Sequence, residues 1–191
     1  MSIKQQTTAC QDAGFASVVA QASGANPQTC LQCRKCTCGC PVAARVDIKP
    51  HELVRMVLMG DRDEILSCRI LWECTSCETC ITRCPQKVDI PAMIDSLRQM
   101  SRAAGQVPAG TTVPAFNDIF LSLVRKRGRM YEAGLMAAFK LRTLNFFQDL
   151  DKLPMMLRKR KIALLPPNVR GAKGRKKLFA RADEAARKTK G

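Results

Sequence analysis

Two copies of one four-cysteine pattern constrain the fold of this chain more than any other feature of its sequence. Each copy reads Cys-x2-Cys-x2-Cys-x3-Cys-Pro, and the second copy begins 44 residues after the first. The cysteines are Cys30, Cys33, Cys36 and Cys40 in the first copy, and Cys74, Cys77, Cys80 and Cys84 in the second. The total of 11 cysteines is odd, and closely bunched triplets do not suit disulfide geometry. The pattern therefore predicts metal ligation by thiolates.

The spacing within each copy is typical of [4Fe–4S] clusters. Three cysteines separated by two residues each can reach three irons of one cluster from a single loop, and in two-cluster ferredoxins the fourth cysteine of the run binds the other cluster. We therefore expect two [4Fe–4S] clusters with crossed ligands. The first set is Cys30, Cys33, Cys36 and Cys84, and the second set is Cys74, Cys77, Cys80 and Cys40. Structural zinc is the alternative, although zinc sites usually use separated cysteine pairs.

The repeat continues beyond the cysteines and predicts an all-α fold. Val-Asp-Ile follows each Cys-Pro, and a proline then opens a run of apolar residues at helical spacing that ends at a glycine. Proline in the first turn and glycine after the last turn are helix signals, so helices are predicted at residues 50–60 and 91–105. A short helix at residues 61–67 is expected between the two copies. Strand signals are nearly absent.

Composition divides the rest of the chain into further segments. A short helix is expected around residues 15–21, a Gly/Pro/Thr-rich linker follows the second repeat, and helical spacing returns at residues 116–126 and 131–150. The predicted domains are a lead-in at 1–27, an α-helical ferredoxin at 28–105, a linker at 106–114, a helical extension at 115–166 and a basic tail at 167–191. For the tail, a frayed helix and a disordered segment both stay open.

Charge and hydropathy bear on location and partners. The net charge is +16, and residues 158–191 contribute +11 of it, from 13 basic and 2 acidic residues. No run approaches the roughly 20 apolar residues of a membrane-spanning helix, and the first residues do not resemble a signal peptide. Reduced cysteines are typical of the cytoplasm, where we expect this protein to be.

Four residues outside the repeat have side chains that can bind metals, and we expect none of them to be a cluster ligand: Cys10, Cys38, Cys68 and His51. Cys10, Cys38 and Cys68 do not belong to the repeat, and their function is left open. His51, the only histidine, is expected to be a surface or capping residue at the start of a helix. Trp72 lies two residues before Cys74, where shielding a cluster and plain core packing are both open.

The charges near the two cysteine loops differ. Arg34 and Lys35 lie in the first loop, whereas Glu73 and Glu78 flank the second. Positive charge near a cluster raises its potential, so the cluster bound at the first loop is predicted to have the higher potential. Arg83, in the second copy, weakens this argument.

The sequence contains no evident catalytic apparatus. It has no Ser/His/Asp or Cys/His constellation, no phosphate-binding glycine loop and no nucleotide motif. Clusters with four thiolate ligands leave no iron open to a substrate. We therefore interpret the chain as an electron-transfer component of an oxidoreductase complex, without a catalytic site of its own.

Longer motifs around the cysteines resemble the C subunit of heterodisulfide reductase and its relatives in sulfur-metabolising prokaryotes. The motifs that carry the resemblance are Cys-Pro-x-x-Ala-Arg-Val-Asp-Ile at 40–48, Trp-Glu-Cys-Thr-Ser-Cys at 72–77, Phe116-Asn117, Phe120-Leu121, and residues 128–132 and 161–166. The resemblance covers roughly residues 28–166. The cysteine pattern alone is shared with other α-helical ferredoxins, such as succinate dehydrogenase iron–sulfur subunits.

The resemblance implies a soluble hetero-oligomeric complex. In it, the chain would pass single electrons between an A subunit with FAD and iron–sulfur clusters and a B subunit whose CCG domains handle the disulfide or another sulfur substrate. The alternatives are a redox-sensitive nucleic-acid-binding iron–sulfur protein, suggested by the basic tail, an iron–sulfur subunit of another dehydrogenase, and a free-standing ferredoxin.

Overall fold

The computed structural model describes residues 14–143 and 171–188, which form helices joined by turns and loops and contain no β-strand. The predicted all-α class is therefore confirmed. The chain divides into two compact units between Thr111 and Thr112. In the first unit the helices are α1 (Phe15–Ser23), α2 (Lys35–Cys38), α3 (Pro50–Met59), α4 (Arg62–Leu66), α5 (Ile70–Glu73), α6 (Thr79–Thr82) and α7 (Ile90–Ala104), with a 3-10 turn at Pro27–Thr29. In the second unit they are α8 (Val113–Arg127), α9 (Glu132–Thr143) and α10 (Ala172–Lys188).

The two repeated helices, α3 and α7, begin and end where local sequence signals predict. Proline occupies the first turn of each helix, where its missing N–H leaves no hydrogen bond unmade. Gly60 and Gly105 end the helices in the left-handed conformation, with φ of 81° and 69°. These positions favour glycine because a Cβ atom is strained there.

The core of the first unit is built on the apolar faces of these helices. Helix α1 packs against both α3 and α7, and α4 packs against the same two helices. The fully buried side chains include Val19, Leu53, Val57, Ile65, Leu66, Leu71, Met93 and Leu97. Ser101 is also buried, and its hydroxyl donates a 2.6 Å hydrogen bond to the carbonyl oxygen of Leu66, so this polar group in the core is satisfied.

The duplication in the sequence is also visible in the packing. The short helix α2 of the first cysteine loop (residues 30–40) contacts α3, and α6 of the second cysteine loop (residues 74–84) contacts α7. Helices α2 and α6 also contact each other. The two cysteine loops are therefore adjacent in the fold, although 44 residues separate them in the chain.

The aspartates of the two Val-Asp-Ile motifs have different partners. Asp89 accepts a 2.9 Å hydrogen bond from the N–H of Ala92 and so caps its own helix, α7. Asp47 accepts hydrogen bonds of 2.7 and 3.1 Å from the N–H groups of Arg69 and Ile70, at the start of α5. Asp47 therefore ties the first repeat to the helix that leads into Cys74.

In the second unit, helix α8 begins at Val113, two residues inside the predicted linker, because Pro114 suits a first turn. Phe116 packs edge to face on Phe139 of α9, with ring centroids 5.8 Å apart. Helix α9 runs to Thr143, and residues 144–150 of the predicted helix lie outside the described residues.

The C-terminal basic segment contains a helix, α10, that contacts α8. Arg175 donates hydrogen bonds of 3.0 and 2.9 Å to the carbonyl oxygens of Arg125 and Lys126, at the C-terminus of α8, where positive charge is favoured. Asp183 forms an ion pair with Arg125. Of the two alternatives for the tail, the structure favours a helix over residues 172–188. No helix of the described segments is long and apolar enough to span a membrane.

Candidate functional site

The first cysteine loop and the end of the second form one pocket. Its four cysteines are Cys30, Cys33, Cys36 and Cys84, which is the first crossed set expected from the sequence. The pocket encloses about 370 Å³ of empty space, part of it continuous with solvent. Its other walls are Leu31, Gln32, Arg34, Lys35, His51, Pro85, Gln86, Val88 and Ile90.

A second pocket joins the second cysteine loop to the end of the first. It brings together Cys40, Cys74, Cys77 and Cys80, the second crossed set, around about 400 Å³ of empty space. Apolar walls come from Pro41, Val42, Pro50, Ile70, Ile90, Pro91 and Ile94. Each pocket thus draws three cysteines from one repeat and one from the other, and four thiols are the ligand set of a [4Fe–4S] cluster.

No group of three or more His, Cys, Asp or Glu side chains in residues 14–143 and 171–188 is arranged to hold a single metal ion.

Left-handed backbone conformations shape both cysteine loops in the same way. Gln32 and Arg34 have φ of 53° and 63°, and the equivalent residues Ser76 and Glu78 have φ of 50° and 59°. Residues other than glycine seldom adopt this conformation, which costs about 1 kcal/mol or more each. Two such residues in each loop turn the backbone so that three cysteines face one pocket.

Hydrogen bonds reach several of the cysteine sulfurs. The backbone N–H of Val88 donates to Cys84 Sγ at 3.4 Å, and that of Ser76 donates to Cys74 Sγ at 3.5 Å. Gln32 Nε2 donates to Cys30 Sγ at 3.4 Å. Donors directed at sulfur would stabilise the negative charge of a bound cluster, and such hydrogen bonds influence its potential.

The cysteine thiols of the pockets differ in pKa. Burial raises the pKa of Cys36, and it raises the pKa of Cys80 from 9.0 to about 11. Hydrogen bonding with Thr79 lowers the pKa of the exposed Cys77, whose Sγ lies 3.4 Å from the Thr79 hydroxyl oxygen. Metal binding must displace the protons of these two half-buried thiols, Cys36 and Cys80, so cluster insertion should be more favourable as pH rises.

His51 belongs to the first pocket, which the sequence did not predict. Its side chain is only 12% exposed, and its Nδ1 lies 2.7 Å from the hydroxyl oxygen of Thr37, which is adjacent to Cys36. The expected position in the first turn of a helix is observed, whereas the expected surface location is not. No local sequence signal joins His51 to Thr37, because the contact spans 14 residues.

Arg98 is a second residue that sequence reasoning missed. Its Nη2 donates a 2.7 Å hydrogen bond to the carbonyl oxygen of Cys74, and its Nε donates to that of Leu71. Its Nη1 pairs with Asp95 at 2.7 Å. Arg98 therefore fixes the backbone where α5 leads into the second cysteine loop, and it brings a partly buried positive charge close to the second pocket.

The structure gives different surroundings to the cysteines outside the repeat. Cys38 is exposed beside the first pocket, Cys68 is buried in the core, and Cys10 lies outside the described residues. Burial raises the pKa of Cys68 from 9.0 to about 12. Trp72 packs in the core and lines neither pocket, which favours core packing over shielding of a cluster.

A sequence model of a known family matches the part of the chain that forms the pockets. The family is described as a 4Fe-4S dicluster domain, and it matches residues 27–88. The match includes all eight cysteines of the repeat. It supports [4Fe–4S] clusters as the cofactors of these pockets.

Known proteins of similar sequence extend the comparison beyond the cysteines. The chain is 35% identical over 106 residues to the C subunit of the H(2):CoB-CoM heterodisulfide,ferredoxin reductase of Methanothermobacter thermautotrophicus, a match that covers 55% of this chain and 57% of the relative. It is 32% identical over 147 residues to the second iron–sulfur C subunit of the CoB--CoM heterodisulfide reductase of Methanocaldococcus jannaschii, covering 70% of this chain and 74% of the relative. The C2 subunit of the H(2)/formate:CoB-CoM heterodisulfide,ferredoxin reductase of Methanococcus maripaludis is 29% identical over 140 residues, covering 67% of this chain and 74% of that relative. The chain thus spans between about half and three quarters of the length of these relatives.

Proposed function

Because the chain belongs to the family of heterodisulfide reductase C subunits, we propose that it is the electron-transfer component of a heterodisulfide reductase-like complex. The proposed partners are an A subunit with FAD and iron–sulfur clusters and a B subunit with CCG domains that handles a disulfide or another sulfur substrate. The chain would pass single electrons between them. The match to the family and the eight cysteines of the two pockets support this role.

The observation that carries the proposal is the composition of the two pockets. We propose that Cys30, Cys33, Cys36 and Cys84 bind one [4Fe–4S] cluster, and that Cys74, Cys77, Cys80 and Cys40 bind the other. A bound [4Fe–4S] cluster accepts and releases one electron at a time. The other six cysteines of the two pockets are partly buried, whereas Cys33 and Cys77 are exposed. Each pocket would therefore have one ligand at the surface, where a partner can approach.

The crossed ligand sets have a structural consequence. Each pocket needs both repeats, so cluster binding and the docking of the two repeats form one event. A chain without clusters should lose most of the packing between α2 and α6, because both helices lie within the cysteine loops that the clusters would join.

Four single variants test the crossed assignment. Cys84→Ser should alter the same EPR signal as Cys33→Ser, because both would be ligands of the first cluster. Cys40→Ser should alter the same signal as Cys77→Ser. If Cys40→Ser instead matched Cys33→Ser, each repeat would bind its own cluster, and the crossed assignment would be wrong.

Metal analysis and co-purification test the function itself. Anaerobically prepared protein should contain about eight irons and an equal amount of inorganic sulfide per chain. A tagged chain expressed in its native host should co-purify with a flavin-containing subunit and a CCG subunit. Zinc in place of iron, or a loaded chain that purifies alone, would contradict the proposed function.

A further inference from the structure

We propose that the protein surface around Cys33 is a docking surface for an acidic patch of a redox partner. This inference rests on the proposed electron-transfer function, which it deepens by assigning a charge to one partner. The surface, here called the basic edge, consists of Cys33, Arg34, Lys35, Cys38 and Arg83.

A shallow depression in the basic edge gives a partner access to the first pocket. Cys33, Lys35, Cys38 and Arg83 line about 500 Å³ of space that is open to solvent. Cys33 also lines the first pocket, where it is the exposed cysteine of the proposed ligand set. An electron that leaves or enters through Cys33 therefore crosses the least protein, and a partner seated in the depression would contact this cysteine.

The fold concentrates positive charge at this edge. Arg34 and Lys35 are exposed residues of the first cysteine loop. Arg83 comes from the second copy, but its side chain crosses the backbone at Gly39, where a Cβ atom would lie 2.9 Å from Arg83 Cδ. In the segments that the structure describes, none of these three side chains forms an ion pair with a carboxylate. Uncompensated cations repel one another, and an acidic partner would relieve this repulsion.

The equivalent surface of the second cysteine loop carries the opposite charge. Cys77 is exposed there as Cys33 is in the first loop. The next residue is Glu78 instead of Arg34, in the same left-handed conformation, and Thr79 takes the place of Lys35. Two loops with the same backbone geometry thus present opposite charges beside their exposed cysteines. This difference would allow one partner to recognise the basic edge and to be disfavoured at the second loop.

The chemistry of the basic edge favours a protein over a nucleic acid. The depression is lined by no aromatic side chain among the described residues, and aromatic stacking is a common feature of single-strand binding sites. Lys35 and Arg83 line the same depression as Cys33, a proposed cluster ligand, and this arrangement suits electron exchange with a docked protein.

Charge neutralisation in the complex tests the inference. The double variant Lys35→Gln/Arg83→Gln removes two charges from the basic edge, and the control Arg55→Gln/Arg62→Gln removes two exposed charges from α3 and α4. The tagged, cluster-loaded chains are immobilised, and retention of the partner subunits from the native host is measured across a salt series. We expect about tenfold weaker retention for the edge variant at low salt, a difference that shrinks as salt rises, and no change for the control.

A thiol footprint on the wild-type protein provides an independent measurement. Cys38 should react with N-ethylmaleimide in the free loaded chain and be protected at least several-fold in the complex, whereas the buried Cys68 should be unreactive in both states. Equal retention of edge variant and control, or unprotected Cys38 in the complex, would overturn the docking surface while leaving the proposed function standing. An edge variant that loses retention on single-stranded DNA but keeps its partner subunits would also overturn it. A loaded wild-type chain that retains no redox subunit would overturn the proposed function as well.

Discussion

Asp47 offers a direct test of how the fold holds the second cysteine loop. Its carboxylate accepts hydrogen bonds from the N–H groups of Arg69 and Ile70 and from that of Ile48. The first two bonds join segments more than 20 residues apart and fix the start of α5, which leads directly to Cys74. Asp47→Ala removes all three bonds and leaves the N-terminus of α5 uncapped.

The expected magnitude follows from the number of bonds. A hydrogen bond to a charged group contributes about 1.5–3 kcal/mol, and the exposure of Asp47 to solvent favours the lower end for each bond. We expect Asp47→Ala to destabilise the region by about 3 kcal/mol, about 1.5 kcal/mol for each of the two bonds to Arg69 and Ile70; the local bond to the adjacent Ile48 is not counted. Asp89→Ala, the same change in the other repeat, removes one capping bond and should cost about 1 kcal/mol. The difference of about 2 kcal/mol corresponds to about a 30-fold difference in an opening equilibrium.

Cluster loss is the appropriate assay, because opening of this region exposes the cluster ligands. Purified loaded proteins are challenged anaerobically with an excess of iron chelator, and the decay of visible absorbance and of each EPR signal is followed. Asp47→Ala should lose its clusters about 30-fold faster than Asp89→Ala, beginning with the signal that Cys77→Ser alters. Asp47→Asn, which keeps one acceptor oxygen, should lie between the wild type and Asp47→Ala.

Equal rates for Asp47→Ala and Asp89→Ala would refute this reasoning. Such a result would mean that the two Val-Asp-Ile motifs contribute equally and that the contacts from Asp47 to α5 do not limit cluster release. Loss of the signal that Cys33→Ser alters before the other signal would refute it as well, because Asp47 is joined to the segment before Cys74.

Three further predictions concern potentials and pH. Thr79→Val removes a hydroxyl that can donate a hydrogen bond to the Cys77 thiolate. The reduction potential of a cluster bound in the second pocket should therefore fall by about 40 mV, measured by potentiometric EPR titration. An unchanged potential would contradict this. The cluster bound in the first pocket should have the higher potential of the two, and the opposite order would refute the local-charge argument. Because burial raises the pKa of Cys68 from 9.0 to about 12, its neutral form stabilises the fold up to pH 9, and this contribution declines as pH rises toward 12. The midpoint temperature of thermal unfolding should therefore fall less steeply with pH for Cys68→Ala than for the wild type above about pH 9. Parallel falls of the two midpoint temperatures would contradict this.

Local signals were sufficient to predict the long helices of the first unit. Proline fixes a backbone angle that suits the first turn of α3 and α7, and glycine tolerates the left-handed residue after the last turn. Both effects act within a few residues of the helix ends, so they can be read without knowledge of the tertiary fold. Most residues of the two apolar runs are buried in the core, namely Leu53, Val54, Val57, Met93, Ile94 and Leu97, whereas Leu58 is exposed.

The short helices α2, α5 and α6 could not be predicted in the same way. Each has four residues, which is too few for an apolar period to be recognised. Arg34 and Glu78 precede α2 and α6 in the left-handed conformation, although neither residue type favours it. These conformations allow three cysteines to face one pocket. The position of that pocket depends on the tertiary fold, so the conformations cannot be read from the local sequence.

The two Val-Asp-Ile motifs show a further limit of repeat-based reasoning. Identical residues occupy equivalent positions in the two repeats, and Asp89 caps the helix that follows it. Asp47 bonds instead to backbone groups 22 and 23 residues ahead. The two repeats are followed by different elements, since only the first is followed by a connecting segment that contains α4 and α5. A duplicated sequence therefore does not imply a duplicated set of contacts.

The placement of Arg83 changes the argument about cluster potentials. Counted along the sequence, Arg83 adds positive charge to the second loop, but the fold brings its side chain to the depression beside Lys35. Arg98 should raise the potential of a cluster in the second pocket, because this partly buried cation donates a hydrogen bond to the carbonyl oxygen of Cys74. Its charge is compensated by Asp95 at 2.7 Å, whereas Lys35 and Arg83 have no carboxylate partner in the described residues. A compensated charge has a field that falls off faster than that of a free charge, so the uncompensated cations should dominate, and the two pockets should differ in potential in the direction that the loop charges indicate.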